Sequence, residues 1–313
     1  MLDSAADDPF AQIERFLAGH GFGTSDPPAG MLADLFLGYG LATSLPGVHV
    51  PGPPEPCPLP VAACRVRPAG EPAPAPGAFR AGAFAPTWSP AEHRDAVELV
   101  RAAIGRGDVY QVNLVQHLRA PFRGSPRALE AALRPLDAAW AHALHGDGWS
   151  IVSATPELFL QTRGDRARTM PIKGTRPADS RDPIAGSPKD RAEHVMIVDL
   201  ERNDLGRVCR PGSIRVAEFL TERPMAGVRH MVSTVEGRLR PDVGLAELLR
   251  ATFPGGSVTG APKLAAIDHI ARLEPVGRGA AMGALGVVRP NGDLELGLTI
   301  RTLAIADGFI HLW

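Results

Sequence analysis

Cysteine is scarce in this chain: Cys57, Cys64 and Cys209 are the only three, and they form neither a paired framework nor a CxxC motif. Structural disulfides are therefore not expected, which suits a reducing compartment and points to the cytoplasm. No sign of charge prevails. Lysine and arginine number 33 against 34 acids, and a net charge of −1 argues against a nucleic-acid or membrane partner. No apolar run reaches the ~18 residues of a membrane span. The amino terminus, MLDSAADDPF, is acidic where a secretory signal would begin basic.

What is present is enough apolar surface for a large core: 313 residues, 44% of them hydrophobic, suit one or two domains. We divide the chain into an amino-terminal segment, residues 1–85, and a second domain, residues 86–313. The first carries a helical pattern around Phe10–Leu17 and an apolar segment from Met31 to Leu41. From Pro51 to Gly77 it has ten prolines in 27 residues, which predicts an irregular connection. No catalytic motif lies there.

In the second, Ser89-Pro90-Ala91-Glu92 is a capping box with proline at the first helical position. Val97, Val100 and Ile104 follow at helical spacing, and the helix is expected to end near Gly105. Val109 to Leu118 alternates as a strand would, with Gln111, Asn113 and His117 on its polar face. Ser125-Pro126 opens a helix interrupted at Pro135. Its expected core residues are Leu129 and Leu133, with Trp140 and Leu144 beyond. Ile151–Thr162 reads as strand broken at Thr155-Pro156-Glu157, and His230–Thr234 as strand. Gly283–Arg289 and Leu294–Ala304 pair through the hairpin signal Asn291-Gly292. Between them, Gly255–Gly260 leads into a helix start at Pro262. Glycine-rich backbone before a helix N-terminus offers N–H groups to anions, although the GK[ST] of a nucleotide loop is missing.

The stretch from Met170 to Cys209 organises the rest. Lys173 is held between Pro171-Ile172 and Gly174-Thr175-Arg176-Pro177, and this predicts a shaped loop presenting one amine. A helix follows, with Ser187 as N-cap, Pro188 at its first position and a left-handed stop at Gly206. Val195-Met196-Ile197-Val198 is apolar on every side, which predicts a buried helix. Asp190 and Glu193 lead into it one turn apart. A first-turn acid complementing the helix dipole and a metal ligand both satisfy that pattern.

PIKGTRP, AEHVMIVDLERNDLGRV, HMVSTVEG, FPGGSVTGAPKLAAI and LTIRTL, in this order, resemble the chorismate-using enzymes from about Trp88 to Trp313. Within that family the likeness is strongest to aminodeoxychorismate synthase component I. The resemblance implies an α+β fold: two lobes of largely antiparallel sheet, with helices outside. It also implies conversion of chorismate and ammonia to 4-amino-4-deoxychorismate through a covalent lysine intermediate at Lys173. Glu157, in SATPELF, would be the general acid for the ring hydroxyl, and such a carboxyl must be desolvated to stay protonated. His230 would face the departing C4 hydroxyl, and Arg301 would grip the pyruvyl carboxylate. Gln111, Thr175, Gly256, Thr259 and Gly260 complete the implied substrate contacts. Gln111 stands where water-adding relatives carry a lysine, so water attack is disfavoured. Mg²⁺ would be held partly by Glu193, with Asp190. No Cys-His-Glu glutaminase site is recognisable, which implies a separate glutamine amidotransferase subunit.

The chain departs from the family pattern in places. Ala281 stands at a usually aromatic pocket position, the LLES feedback motif is absent, and the GGGIV segment and final helix with further metal ligands do not follow Trp313. Ile310–Trp313 then reads as a strand with an open edge, and slow or absent turnover is expected of these 313 residues. The nearest rival, anthranilate synthase component I, resembles PIAGT where this chain has PIKGT. A non-catalytic chorismate-binding subunit is the other.

Overall fold

The computed structural model describes residues 8–70, 77–180, 184, 188–225 and 227–313. Its elements begin with α1 (Pro9–Gly19), β1 (Met31–Leu37), β2 (Ala62–Pro68), β3 (Phe79–Ala81), β4 (Ala85–Pro86), α2 (Pro90–Arg106), β5 (Gln111–Val112) and β6 (Leu118–Gly124). Then come α3 (Pro126–Leu133), β7 (His142–His145), β8 (Trp149–Ser153), β9 (Leu158–Arg163), β10 (Arg166–Met170), β11 (Ile172–Pro177) and α4 (Pro188–Gly206). The last are β12 (Arg215–Met225), β13 (Val228–Arg238), α5 (Leu245–Thr252), β14 (Gly260–Ala261), α6 (Lys263–Leu273), β15 (Ala284–Val288), β16 (Leu294–Leu298), β17 (Thr302–Ala306) and β18 (Phe309–Leu312).

Two antiparallel sheets organise these elements, as expected of an α+β chain. The nine-stranded sheet runs β11-β13-β10-β9-β16-β15-β1-β2, with β12 also on β13; the seven-stranded one runs β3-β6-β18-β17-β8-β7, with β4 also on β6. β1 pairs with β15, so the amino-terminal residues share the sheet built by much later ones. Phe10, Ile13 and Leu17 of α1 enter the main core with β1, β15 and β16 side chains. That core also holds Ala281, which is buried.

Local signals worked where both partners are near in sequence. In α2 the Ser89 N–H donates to the Glu92 carboxylate at 2.8 Å and the Glu92 N–H to the Ser89 hydroxyl at 3.2 Å. Gly107, at φ 82°, closes the helix just past the expected end. Ala96, Val100 and Ala103 form its buried face, and Ile104 of the expected stripe is exposed. The β15–β16 turn carries Gly292 at φ 88°, as its Asn-Gly pair predicts.

Four expectations are corrected. The proline-rich stretch contains β2, because its central AACRVRP has a whole strand, β1, to pair with. Val109–Leu118 is no continuous strand: Gln111–Val112 pairs with Gly260–Ala261, Leu118 already belongs to β6, and Tyr110 is exposed. Leu294–Ala304 splits at Thr299–Arg301, where Arg301 takes a left-handed φ of 50° and the chain crosses from one sheet to the other. Finally, β18 is internal, paired with β17 on one side and β6 on the other, so the expected open edge does not exist. Trp313 then turns in and donates its indole N–H to the Gly277 carbonyl at 2.9 Å.

Candidate functional site

Lys173 lies on β11, not on the expected loop, because its neighbours find backbone partners on β13. The pairing shifts between Lys173, opposite Met231, and Thr175, opposite His230. Such a bulge re-aims side chains at sheet margins. Gly174 makes it: φ is +70°, and a Cβ there would meet the Ile184 Cγ2 at 2.4 Å. Lys173, half-buried, donates from Nζ to the Ser257 carbonyl at 3.0 Å.

Glu157 sits in the break between β8 and β9, where Pro156 ends pairing. It is buried, and its carboxylate accepts the Ser257 hydroxyl at 2.6 Å. Burial pushes its carboxyl up to about 7, against the lowering influence of the Ser257 hydroxyl, the Lys173 charge and the Ile172 N–H. The expected general acid is thus in an environment that keeps it protonated near neutrality. Ser257 joins the two: its hydroxyl holds the acid and its carbonyl the amine.

His230 is buried at the start of β13. Its Nδ1 lies 3.2 Å from the Gly174 carbonyl, which only accepts, so Nδ1 carries the hydrogen. Its Nε2 accepts from Arg301 at 3.1 Å, and the Thr175 hydroxyl lies 3.1 Å from Nδ1. Burial and Arg301 hold this imidazole below its usual range, against the Gly174 contact, so it is neutral at pH 7. Arg301 falls within the expected strand Leu294–Ala304 but at its break. It is exposed, and among the described residues no carboxylate pairs with it.

The loop after α5 is more self-contained than its glycines suggest. The N–H groups of Gly256, Val258 and Thr259 already bond within the protein, so they do not form the expected open anion cradle. Thr259 turns its hydroxyl back to the Gly255 carbonyl at 3.0 Å and is fully buried. Gly260, at φ 145°, lies so close to β5 that a Cβ would come 2.1 Å from the Gln111 carbonyl. Among the described residues the buried Gln111 side-chain oxygen has no hydrogen-bond partner, an acceptor held open.

On α4 the expected pair and the buried pair are different residues. Asp190 lies 3.7 Å from Arg176 and Glu193 3.9 Å from Lys189, both half-exposed. Val195 is exposed, so this helix is one-sided rather than buried all round. Its inner stripe is His194, Ile197, Val198, Glu201, Asp204 and Leu205. The N-cap at Ser187 lies outside the described residues, and Gly206 ends the helix without a left-handed φ. Cys209 N–H reaches back to the Leu205 carbonyl at 2.8 Å, which closes the turn without one.

Glu201, Asp204, His194 and Ser257 were not anticipated. Continuing the helical stripe from Ile197 and Val198 by one turn would have flagged Glu201. Glu201 accepts the Gly256 N–H at 3.1 Å, while Asp204 pairs with Lys263. Burial, and for Glu201 the neighbouring Asp204, raises both carboxyls. His194 contacts the Ser233 hydroxyl at 2.7 Å, and burial with the Lys173 charge lowers it to about 4.

Among the described residues no helix is long and apolar enough to cross a membrane. Aminodeoxychorismate synthase component 1 of Klebsiella aerogenes is 42% identical over 229 residues, 70% of this chain and 51% of that protein. Anthranilate synthase component 1 of Streptomyces coelicolor is 37% identical over 265 residues, 77% of this chain and 52% of that one. The chain thus spans about half the length of the curated relatives it matches. Anthranilate synthase component I of Streptococcus pneumoniae TIGR4 shares the fold, with a TM-score of 0.81 at 24% identity over 99% of this chain and 80% of its own. The profile of the chorismate binding enzyme family matches residues 57–313. With those residues, this fold and these relatives, the chain belongs to the chorismate binding enzyme family.

Proposed function

We propose that the chain converts chorismate and ammonia to 4-amino-4-deoxychorismate where Lys173 and Glu157 converge. The observation that carries this reading is their meeting on Ser257, at 3.0 Å and 2.6 Å, with the carboxyl raised to about 7. The Lys173 amine attacks C2 of chorismate through its nitrogen lone pair, the ring double bond shifts, and the C4–O bond breaks. Glu157 gives its proton to the departing hydroxyl, which leaves as water. Ammonia then adds at C4, the double bond returns, and the C2–N bond to Lys173 breaks. The proton shed by the new ammonium goes back to Glu157, so the acid is ready again.

The surrounding groups suit those steps. Arg301, oriented by His230 and unpaired among the described residues, offers a guanidinium fork to a substrate carboxylate. The open Gln111 oxygen accepts an N–H of ammonia but cannot serve as a base for water. Asp190 and Glu193 fit a magnesium ion, which usually takes one or two protein carboxylates plus water and substrate oxygens. The pair from Glu193 to a largely exposed Lys189 is weak enough to yield. Among the described residues no group of three or more His, Cys, Asp or Glu forms a complete metal cage. Magnesium bound there would neutralise the ring carboxylate. Ammonia would come from a separate glutamine amidotransferase, in the cytoplasm, where the three free thiols stay reduced.

Incubation with chorismate, Mg²⁺ and ammonia, with the product identified by chromatography and mass, tests this. The expected product is 4-amino-4-deoxychorismate. Anthranilate with pyruvate would establish the rival synthase, and tight chorismate binding without turnover would establish a binding subunit.

A further inference from the structure

We propose that Glu201 is a positioning residue for both reactive groups, acting through the Gly256–Ser257 peptide. The proposal rests on the reading that Lys173 and Glu157 do the chemistry. Glu201 Oε1 accepts the Gly256 N–H at 3.1 Å. The next residue holds the acid by its hydroxyl, at 2.6 Å, and the amine by its carbonyl, at 3.0 Å. One turn of loop therefore carries both groups, and Glu201 holds the residue before it.

The contact has no slack. A Cβ on Gly256 would come 2.6 Å from Leu200 Cδ2 and 3.1 Å from Glu201 Oε1, so α4 lies directly against the loop. One turn along α4, Asp204 pairs with Lys263, whose Nζ also donates to the Thr252 and Pro254 carbonyls at 3.0 Å and 2.6 Å. The loop is thus held at its entry by Asp204 through Lys263 and at its middle by Glu201.

The groups facing Glu201 are Asp204 from its own helix, Lys263 from α6, Glu157 from the β8–β9 break and the Gly256 N–H. Burial and the Asp204 charge favour the protonated form. A neutral acid accepts through its carbonyl oxygen, and an amide offers the same oxygen.

Glu201→Met and Glu201→Gln in the 313-residue chain, with ammonia as nitrogen donor, test the proposal. Glu201→Met is expected to lower kcat about 10–100-fold with KM within about threefold, because a reacting group displaced by an ångström costs that much. Glu201→Gln is expected to stay within about threefold of the parent. In Glu201→Met the Ser257 hydroxyl loosens from Glu157, so the basic limb of the pH profile moves upward from about 7. Independently of turnover, acetylation of Lys173 by acetic anhydride, read by mass spectrometry, should be several-fold faster in Glu201→Met than in Glu201→Gln. Should Glu201→Met not fold, Glu201→Ala is expected to show the same direction. Unchanged kcat, pH limb and Lys173 labelling would overturn the proposal, as would Glu201→Gln losing as much as Glu201→Met. A parent that makes no product defeats the functional reading instead, and the labelling comparison still decides the role of Glu201.

Discussion

Two buried charge clusters grip the same loop, Gly255–Gly260, and they are composed differently. In one, Arg278 meets Glu274 through two hydrogen bonds, at 2.9 Å and 2.7 Å, and gives another to the Val258 carbonyl at 2.8 Å. Its guanidinium also lies 4.4 Å over the Tyr39 ring, and Glu274 takes the Val115 N–H at 3.0 Å. One cation meets one anion and the donors are used. In the other, Glu157, Glu201 and Asp204 are all buried, and among the described residues the cations acting on them are Lys263, Arg207 and the half-buried Lys173. Burial outweighs those charges and drives protons onto the carboxyls. The saturated pair has nothing left to exchange with a substrate. The acid-rich cluster keeps a carboxyl raised to about 7 at Glu157, so it can still exchange a proton near neutrality.

The largest expected effect breaks the acid-rich cluster at its amine. Lys173→Ala should reduce 4-amino-4-deoxychorismate formation by on the order of 10³-fold or more, since the covalent route is lost. Chorismate affinity, measured by titration, should change only a few-fold. Full activity would remove the covalent role.

Next is the acid itself. The parent rate should fall as pH rises through about 7, because the raised Glu157 carboxyl is protonated below that pH and ionised above it. Glu157→Gln should lower kcat roughly 10²–10⁴-fold and abolish that limb. A limb that persists in the variant belongs to another group.

The saturated cluster should answer with stability instead. Arg278→Met leaves Glu274 buried without its cation and should cost about 3–5 kcal/mol in urea unfolding. Adding Glu274→Met should recover most of that loss, because an apolar pair needs no partner. A double variant as unstable as the single one would mean that the loop contacts, not the charge, carry the effect.

The smallest effect belongs to the outer acids of α4. Glu193→Gln should weaken Mg²⁺ binding roughly tenfold in calorimetry with chorismate present, since a neutral amide is a poorer ligand for a hard cation. The urea midpoint should barely move, because the Lys189 pair is solvent-screened. Unchanged affinity would return Glu193 to a dipole-complementing role.

By itself the sequence determined what depends on neighbours within a few residues. The α2 capping box, the Asn291-Gly292 turn and the helix around Phe10–Leu17 were legible because both partners of each interaction lie within one or two turns of chain. The identities of Lys173, Glu157, His230 and Arg301 were legible as motif residues too. Tertiary structure decided the environments, which are made by segments far apart in sequence. Ser257 meets Glu157 across 100 residues and Lys173 across 84. No local pattern states that one serine will serve both, or that Glu201 will lie inward while Glu193 faces a lysine. The same holds for β18, whose edge is open in a linear reading and closed once β6, almost two hundred residues earlier, lies beside it. A side chain's chemistry is local, but its desolvation and its partners belong to the assembled sheets.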